Sequence, residues 1–191
     1  MEKNNQMVCA IVAVGPDNVI GIDGRMPWHS KQDFYHFKKL TTENPCIFGK
    51  TTFFNMPKHP LSKRPNIVCS SKYNNEFDKQ DVYCASSLEN ALKQCVTYNN
   101  VFVCGGVALY KYAFDQDLID ITYLTQIISP ALAAEIADNP DKYTRFPFDI
   151  KAYFNSSKWV AEKIEYPSGV LPVENPNIMA RFFKYIRDRK Y

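Results

Sequence analysis

The sequence predicts an α/β fold: a mostly parallel sheet covered by helices on both faces, giving three layers, with an antiparallel strand pair at its C-terminal edge. Three observations carry this. From residue 7 to residue 127, short apolar runs alternate with stretches of helical periodicity, the pattern of parallel strands joined by crossover helices. The last third holds two strand-like runs with no helix between them, which implies antiparallel pairing. The chain has 191 residues, 46% hydrophobic and 23% charged, enough for one well-buried core and short for two full domains.

Residues 7–14, "MVCAIVAV", form an apolar run ended by Gly15-Pro16-Asp17-Asn18, which predicts a strand buried on both faces and then a turn. A loop rich in Gly and Pro leads to Trp28. From Ser30 the residues Phe34, Phe37 and Leu40 recur at helical spacing, with Lys31, Lys38 and Lys39 pointing elsewhere, so an amphipathic helix with its phenylalanines inward is expected. "PCIFG" reads as a strand, "KTTFFNM" as a short helix and "PNIVCSS" as a strand. "SLENALKQCV" places Leu88, Ala91, Leu92 and Cys95 on one helical face, with Ser86 and Glu89 spaced for a capping box. "NVFVC" is a strand, Gly105-Gly106 a turn, "VALYKYAF" a helix and "IDITYLTQI" a strand. Residues 129–145 read as surface helix and loop. "WVAEKIEY" and "IMARFFKYI" form the edge pair, joined by "PSGVLPVENPN".

Charge and cysteine usage exclude several classes. With 23 basic and 20 acidic residues the net charge is +3, too balanced for a surface built for nucleic acid. The locally basic tail "RFFKYIRDRKY" reads as a strand with one wet face. Cys9, Cys46, Cys69 and Cys104 lie inside apolar runs, no C-x-x-C occurs, and His29, His36 and His59 share no ligand spacing. Buried thiols in a reducing compartment and no metal are therefore expected. The first apolar run is too short for a signal peptide and nothing spans a bilayer, so the expected location is cytoplasmic.

Five places can carry chemistry. Asp33 stands among aromatic residues just after Trp28. Its carboxylate either completes an N-terminal cap begun by Ser30 or is an acid whose pKa burial raises. Gly105-Gly106 follows a strand and opens a helix, which either lets backbone N–H groups approach a phosphate or is simply a tight turn. It lacks the third glycine of a dinucleotide fingerprint. "FGKTT", residues 48–52, repeats the strand-to-helix logic with a cation and hydroxyls. It lacks the first glycine of a P-loop, because position 44 is Asn, so anion binding stays and nucleotide hydrolysis goes. "SSK", residues 70–72, lies at another strand end, where open α/β sheets bind ligands. Arg64 is a candidate fork for a ligand carboxylate.

In this order the motifs "VIGIDGRMPW", Asp33, Phe37, Thr41, "PCIFGKTTF", "RPNIVCSS", "VFVCGGVALY" and "ITYLTQI" closely resemble the dihydrofolate reductase family over nearly the whole chain. The resemblance implies a single domain over residues 1–191, with an adenosine-binding subdomain at roughly 44–112. It also implies an eight-stranded sheet and reduction of 7,8-dihydrofolate to tetrahydrofolate with NADPH. Asp33 and Trp28 match the catalytic positions. Asp33 would accept hydrogen bonds from the pteridine, and Trp28 would order a proton-carrying water.

By the same resemblance Ile11, Asp33, Phe37, Leu61, Arg64 and Thr125 match substrate contacts, Arg64 taking the carboxylate of the glutamate tail. That arginine separates this reading from a reductase of the same fold acting on a tail-less pterin or pyrimidine. Ala13, Val19, Ile20, Gly21 and Gly24 match the nicotinamide side, where residues 19–25 would act as a closing loop. Gly49, Lys50, Thr51, Thr52, Gly105, Gly106, Val107 and Tyr110 match the pyrophosphate cradle, with Gly105-Gly106 cis, and Cys104, where an aliphatic residue is usual, matches the wall beside the nicotinamide. Lys50, Ser70 and Ser71 match the 2′-phosphate contacts, with Lys72 beside them. The implied partners are dihydrofolate and antifolate inhibitors, with no nucleic acid or membrane, and the implied state is a monomer. Three departures stand out: "HSKQD" has no proline before the acid, Ala108 replaces a frequent arginine, and residues 129–145 have no family role to match.

Overall fold

The computed structural model describes residues 6–71 and 81–189. Over these the elements are β1 (Met7–Val14), β2 (Val19–Ile22), α1 (Lys31–Thr41), β3 (Cys46–Gly49), α2 (Lys50–Asn55), β4 (Asn66–Cys69), β5 (Val82–Ala85), α3 (Leu88–Gln94), β6 (Asn100–Val103), α4 (Val107–Asp115), β7 (Ile121–Ile128), α5 (Pro130–Asp138), β8 (Tyr143–Arg145), α6 (Ile150–Phe154), β9 (Trp159–Ile164) and β10 (Met179–Arg187). Eight strands form one sheet in the order β5-β4-β3-β6-β1-β7-β10-β9, while β2 and β8 pair separately. The strands from β5 to β1 pair in parallel; β10 is antiparallel to both β7 and β9. The α/β class and the antiparallel C-terminal edge hold. Strands β2, β5 and β8 and helix α6 are additions to the sequence-based expectation.

Contacts within the chain divide it into two units. The first comprises residues up to Ala10 with Thr41–Asp120. Its core is apolar: Ile47, Phe48, Phe53, Ile67, Val68, Val101 and Val103 are almost fully buried, as expected for short parallel strands covered on both faces. Helix α3 is capped by Ser87, whose hydroxyl accepts the Asn90 N–H at 3.2 Å. The predicted cap at Ser86 is thus off by one residue, because two serines precede the helix and Ser87, in the extended N-cap conformation, is the one three residues before the N–H it accepts, that of Asn90. Ser86 instead accepts from the Asn90 side chain at 2.8 Å. All six cysteines are free thiols, with Cys9, Cys46 and Cys95 buried and Cys69, Cys84 and Cys104 half-buried.

The second unit comprises Ile11–Leu40 and Ile121–Tyr191. Its helix α1 corrects the expected orientation of the phenylalanines. Phe34 is 38% exposed and Phe37 and Leu40 are half-buried, whereas Ser30, Asp33 and His36 are buried. Helical period identifies a row of residues, not which row faces inward. Here the polar row goes in because partners wait for it, among them Tyr166, Tyr123 and Phe182 around His36.

Residues 19–25, expected as a loop, are a strand and a tight turn. Strand β2 pairs with β8, and Ile22 and Arg25 exchange backbone hydrogen bonds at 2.8 and 2.9 Å around Asp23-Gly24. Both central residues have positive φ, 48° and 75°, the two-residue turn for which Asp-Gly is suited. The stretch 129–145 likewise divides into α5, a short 3-10 turn and β8. Leu132 and Ile136 of α5 pack with Val19, Trp28 and Ile127, and the Arg145 guanidinium pairs with Asp17 at 2.7 Å.

Candidate active site

The predicted site residues fall into two groups, one on each unit. In the second unit the centre is Asp33, in the first turn of α1 and 8% exposed. Its backbone N–H donates to Ser30 Oγ at 3.1 Å, so Ser30 is the cap, as half of the capping alternative required. The Asp33 carboxylate does not complete that cap. The carboxylate of Glu174 does so, accepting from the N–H groups of Lys31 and Gln32, both at 3.2 Å, and from the Ser30 hydroxyl. Asp33 accepts instead from the Thr125 hydroxyl of β7. Burial pushes its pKa up to about 6, the Thr125 bond opposing this and the charge of Glu174 adding to it. The other buried acid among the described residues, Asp120, accepts the Val8 N–H at 2.9 Å and so bonds β1 from the residue that precedes β7.

Around Asp33 the unit supplies apolar surface. Phe34 and Phe37 lie on the same helix, Phe34 in contact with the His29 ring at 5.1 Å between centroids. Trp28 is buried against Val19, Ile127, Leu132 and Ile136, and a Cβ on Gly15 would stand 2.8 Å from its ring. Trp28 therefore sits in a fixed orientation, with its buried Nε1 unpaired among the described residues. Ile11 is buried in β1, and Ala13 and Ile20 are half-buried. Val19 and Gly21 are buried in β2, while Gly24 is exposed at the turn.

In the first unit the strand ends of β3 and β6 form a glycine cradle. The Gly49 N–H donates to the Gly105 carbonyl at 2.7 Å and the Cys104 N–H to the Ile47 carbonyl at 2.8 Å. Gly49 and Gly106 are the N-caps of α2 and α4, so two helix starts, each the positive end of its dipole, lie at adjoining strand ends. The Gly105-Gly106 bond is cis and Gly105 has φ 105°, as the resemblance implies. A Cβ on Gly106 would meet Thr52 Oγ1 at 2.7 Å, so a side chain here requires its surroundings to shift. Val107 starts α4, and Tyr110 is buried one turn on. Bare N–H groups, the hydroxyls of Thr51 and Thr52 and the exposed Lys50 at one strand end fit a phosphate-bearing cofactor.

Arg64 is 7% exposed, and its guanidinium is held by the Ser62 carbonyl at 2.9 Å and the Thr41 hydroxyl at 2.7 Å. The loop carrying Leu61 and Arg64 is in turn held by Asn66, fully buried at the start of β4. Its side chain accepts from the Leu61 N–H at 2.8 Å and donates to the carbonyls of Leu61 and Arg64 at 2.9 and 2.8 Å. Ser70 and Ser71 stand at the end of β4, Ser70 bonded to the Ala85 carbonyl at 2.9 Å. Lys72 lies outside the described residues.

Sequence reasoning missed Asn66 and Glu174. A polar residue opening the strand "NIVC" was a signal for the first. Nothing local marks Glu174, which lies 144 residues from its partner Ser30. Among the described residues no group of three or more His, Cys, Asp or Glu is placed to hold a metal ion.

The family model described as dihydrofolate reductase matches residues 7–153. The dihydrofolate reductase of Candida albicans is 28% identical over 158 residues, covering 78% of this chain and 80% of that one. That of Haemophilus influenzae is 38% identical over 117 residues, covering 61% and 69%. That of Bacillus subtilis is 36% identical over 121 residues, covering 63% and 69%. The solved dihydrofolate reductase of Enterococcus faecalis, complexed with NADP(H) and RAB-propyl, superposes with a TM-score of 0.70 at 27% identity, covering 95% of this chain and 96% of that one.

Proposed function

Because the chain belongs to the dihydrofolate reductase family, we propose that it reduces 7,8-dihydrofolate to 5,6,7,8-tetrahydrofolate with NADPH. The observation that carries this reading is Asp33: a buried acid, released from capping its own helix, hydrogen-bonded to Thr125 and raised to about pKa 6. A carboxylate offers two acceptor oxygens, which suit the adjacent amino and ring N–H donors of a pterin. The half-exposed row of Phe34 and Phe37 beside it gives the flat rings an apolar wall. Arg64, already fixed by Thr41 and Ser62, meets the tail carboxylate.

NADPH, when bound, supplies the hydride. The chain's part is to hold and orient it: backbone N–H groups at Gly105–Val107 and the hydroxyls of Thr51 and Thr52 take the pyrophosphate, with Gly49 closing the cradle through its bond to the Gly105 carbonyl. Lys50, Ser70 and Ser71 take the 2′-phosphate, the charge resting on Lys50 because position 108 is Ala. Ala13 and Ile20 meet the nicotinamide carboxamide. Asp33 stabilises the protonated pterin electrostatically rather than delivering the proton itself, which a water oriented by Trp28 carries to N5. A carboxyl with pKa near 6 is ionised for most molecules at neutral pH, and ligand binding that presents cationic or donor groups strengthens that form.

The test is the loss of reduced-nicotinamide absorbance on mixing the protein with NADPH and dihydrofolate, alongside Asp33→Asn. Turnover that depends on Asp33 is expected; folded protein that binds NADPH and shows no turnover with dihydrofolate overturns the assignment.

A further inference from the structure

The connection between β9 and β10 returns to the start of α1 and fastens it. Glu174 takes the N–H groups of Lys31 and Gln32 with its two carboxylate oxygens, Oε1 also accepting from the Asn175 N–H at 3.0 Å and Oε2 from the Ser30 hydroxyl. The Gln32 side chain donates to the Pro172 carbonyl at 3.1 Å, a second tie between the same segments. Ser30 then passes the arrangement on, accepting the Asp33 N–H. We infer that Glu174 is a positioning residue for Asp33: through Ser30 it fixes the helix turn from which the acid projects, and it sets a second negative charge beside that acid. This rests on the reading of Asp33 as the substrate-binding acid.

The arrangement explains how α1 starts without the proline that relatives place before the acid. A helix start leaves its first N–H groups unsatisfied. Here a distant carboxylate satisfies two of them and leaves Asp33 for other work. Glu174 is itself held ionised: burial works against it, but the Ser30 hydroxyl and the N–H groups of Asn175, Gln32 and Lys31 lower its pKa below the ordinary value. Of two neighbouring carboxyls the one with the lower pKa ionises first, so their repulsion falls on the other; Asp33, raised first by burial, takes this repulsion as a smaller addition. The remaining groups around this turn do not compete. β7 contributes the uncharged Thr125 hydroxyl, His36 on α1 faces Tyr166, Tyr123 and Phe182, and Lys39 lies over the Tyr166 ring at 4.7 Å.

The experiment follows the Asp33 carboxyl by carbon NMR of ligand-free, aspartate-labelled protein, its signal identified by its loss in Asp33→Asn, in the unaltered protein, Glu174→Gln and Glu174→Ala. The pH profile of kcat/KM is recorded in parallel. Glu174→Gln keeps the size and one acceptor but removes the charge, and the Asp33 midpoint should fall by roughly half a pH unit to one unit. Glu174→Ala also releases the helix turn, and KM for dihydrofolate should rise several-fold more than kcat falls. A midpoint that is unchanged or higher in both variants overturns the inference. If the unaltered protein does not turn over dihydrofolate, the proposed function fails, and the NMR titration still decides whether Glu174 acts on Asp33.

Discussion

The Nδ1 of His36 lies 2.6 Å from the hydroxyl oxygen of Tyr166, in an aromatic cage completed by Phe182 and Tyr123. Burial, helped by the nearby positive charge of Lys39, pushes the His36 pKa down from 6.5 to about 4. The folded protein then keeps the imidazole neutral while the unfolded chain takes up a proton. The stability it contributes is full above pH 6.5 and is lost as pH falls toward 4. The shift corresponds to about 3 kcal/mol. Denaturant unfolding of His36→Phe, which keeps an aromatic ring but cannot titrate, should fall less steeply over this range than the unaltered protein. Parallel curves would count against His36 as the acid-sensitive group.

Asp33 works in the opposite sense, three residues along the same helix. Its pKa is raised from 3.8 to about 6, so the stability linked to its proton is complete below pH 3.8 and is lost as pH rises through 6. At neutral pH the buried carboxylate costs about 2 to 3 kcal/mol relative to its unfolded state. Asp33→Asn should therefore stabilise the ligand-free protein at pH 7 by about 2 kcal/mol, with no gain at pH 3.5, while turnover falls on the order of 100-fold or more. The loss of the opposing slope should also make acid destabilisation steeper in this variant. Equal stability at both pH values would remove the account of Asp33 as a strained acid.

Asn66 shows how a residue with no ligand contact holds those proposed to have one. Fully buried, it bonds the backbone of Leu61 and Arg64 from both sides. Asn66→Ala leaves those groups without partners and should destabilise the protein by about 3 kcal/mol. In protein that remains folded, KM for dihydrofolate should rise more than for the same reaction with a pterin lacking the glutamate tail, since Arg64 is the group set loose. Equal changes for both substrates would show that the loop's order does not reach Arg64.

What was legible in the sequence follows the range of the interaction. Strands β1, β3, β4 and β6 are apolar runs ended by turn residues, and the cradle follows from glycines placed at two of those ends. The inward row of α1 was not legible, because Phe34, Phe37 and Leu40 and the polar row beside them share one period, and only Thr125, Tyr166 and Phe182 decide which is buried. Strand β2 is not legible as a strand because its partner is remote: Ile22 pairs with Tyr143. Only its turn, Asp23-Gly24, carries a local signal. Glu174 was out of reach for the same reason as β8, since a cap supplied from far along the chain leaves no mark at the helix it caps.

The glycine cradle offers the sharpest steric test. A methyl group at position 106 would stand 2.7 Å from Thr52 Oγ1, closer than two such atoms can pack, so one side must give way. Gly106→Ala should therefore push apart the ends of β3 and β6, which the Gly49-to-Gly105 hydrogen bond holds at 2.7 Å. NADPH affinity should fall on the order of 10-fold or more, about 1.4 kcal/mol, while an antifolate bound at the proposed Asp33 site should lose less. Thr52→Ala removes the atom that clashes. If the cause is steric, the double variant Gly106→Ala/Thr52→Ala should bind NADPH more tightly than Gly106→Ala alone, even though it lacks one hydroxyl of the cradle. A double variant weaker than both single variants would show that the Thr52 hydroxyl, rather than the space above Gly106, governs cofactor binding.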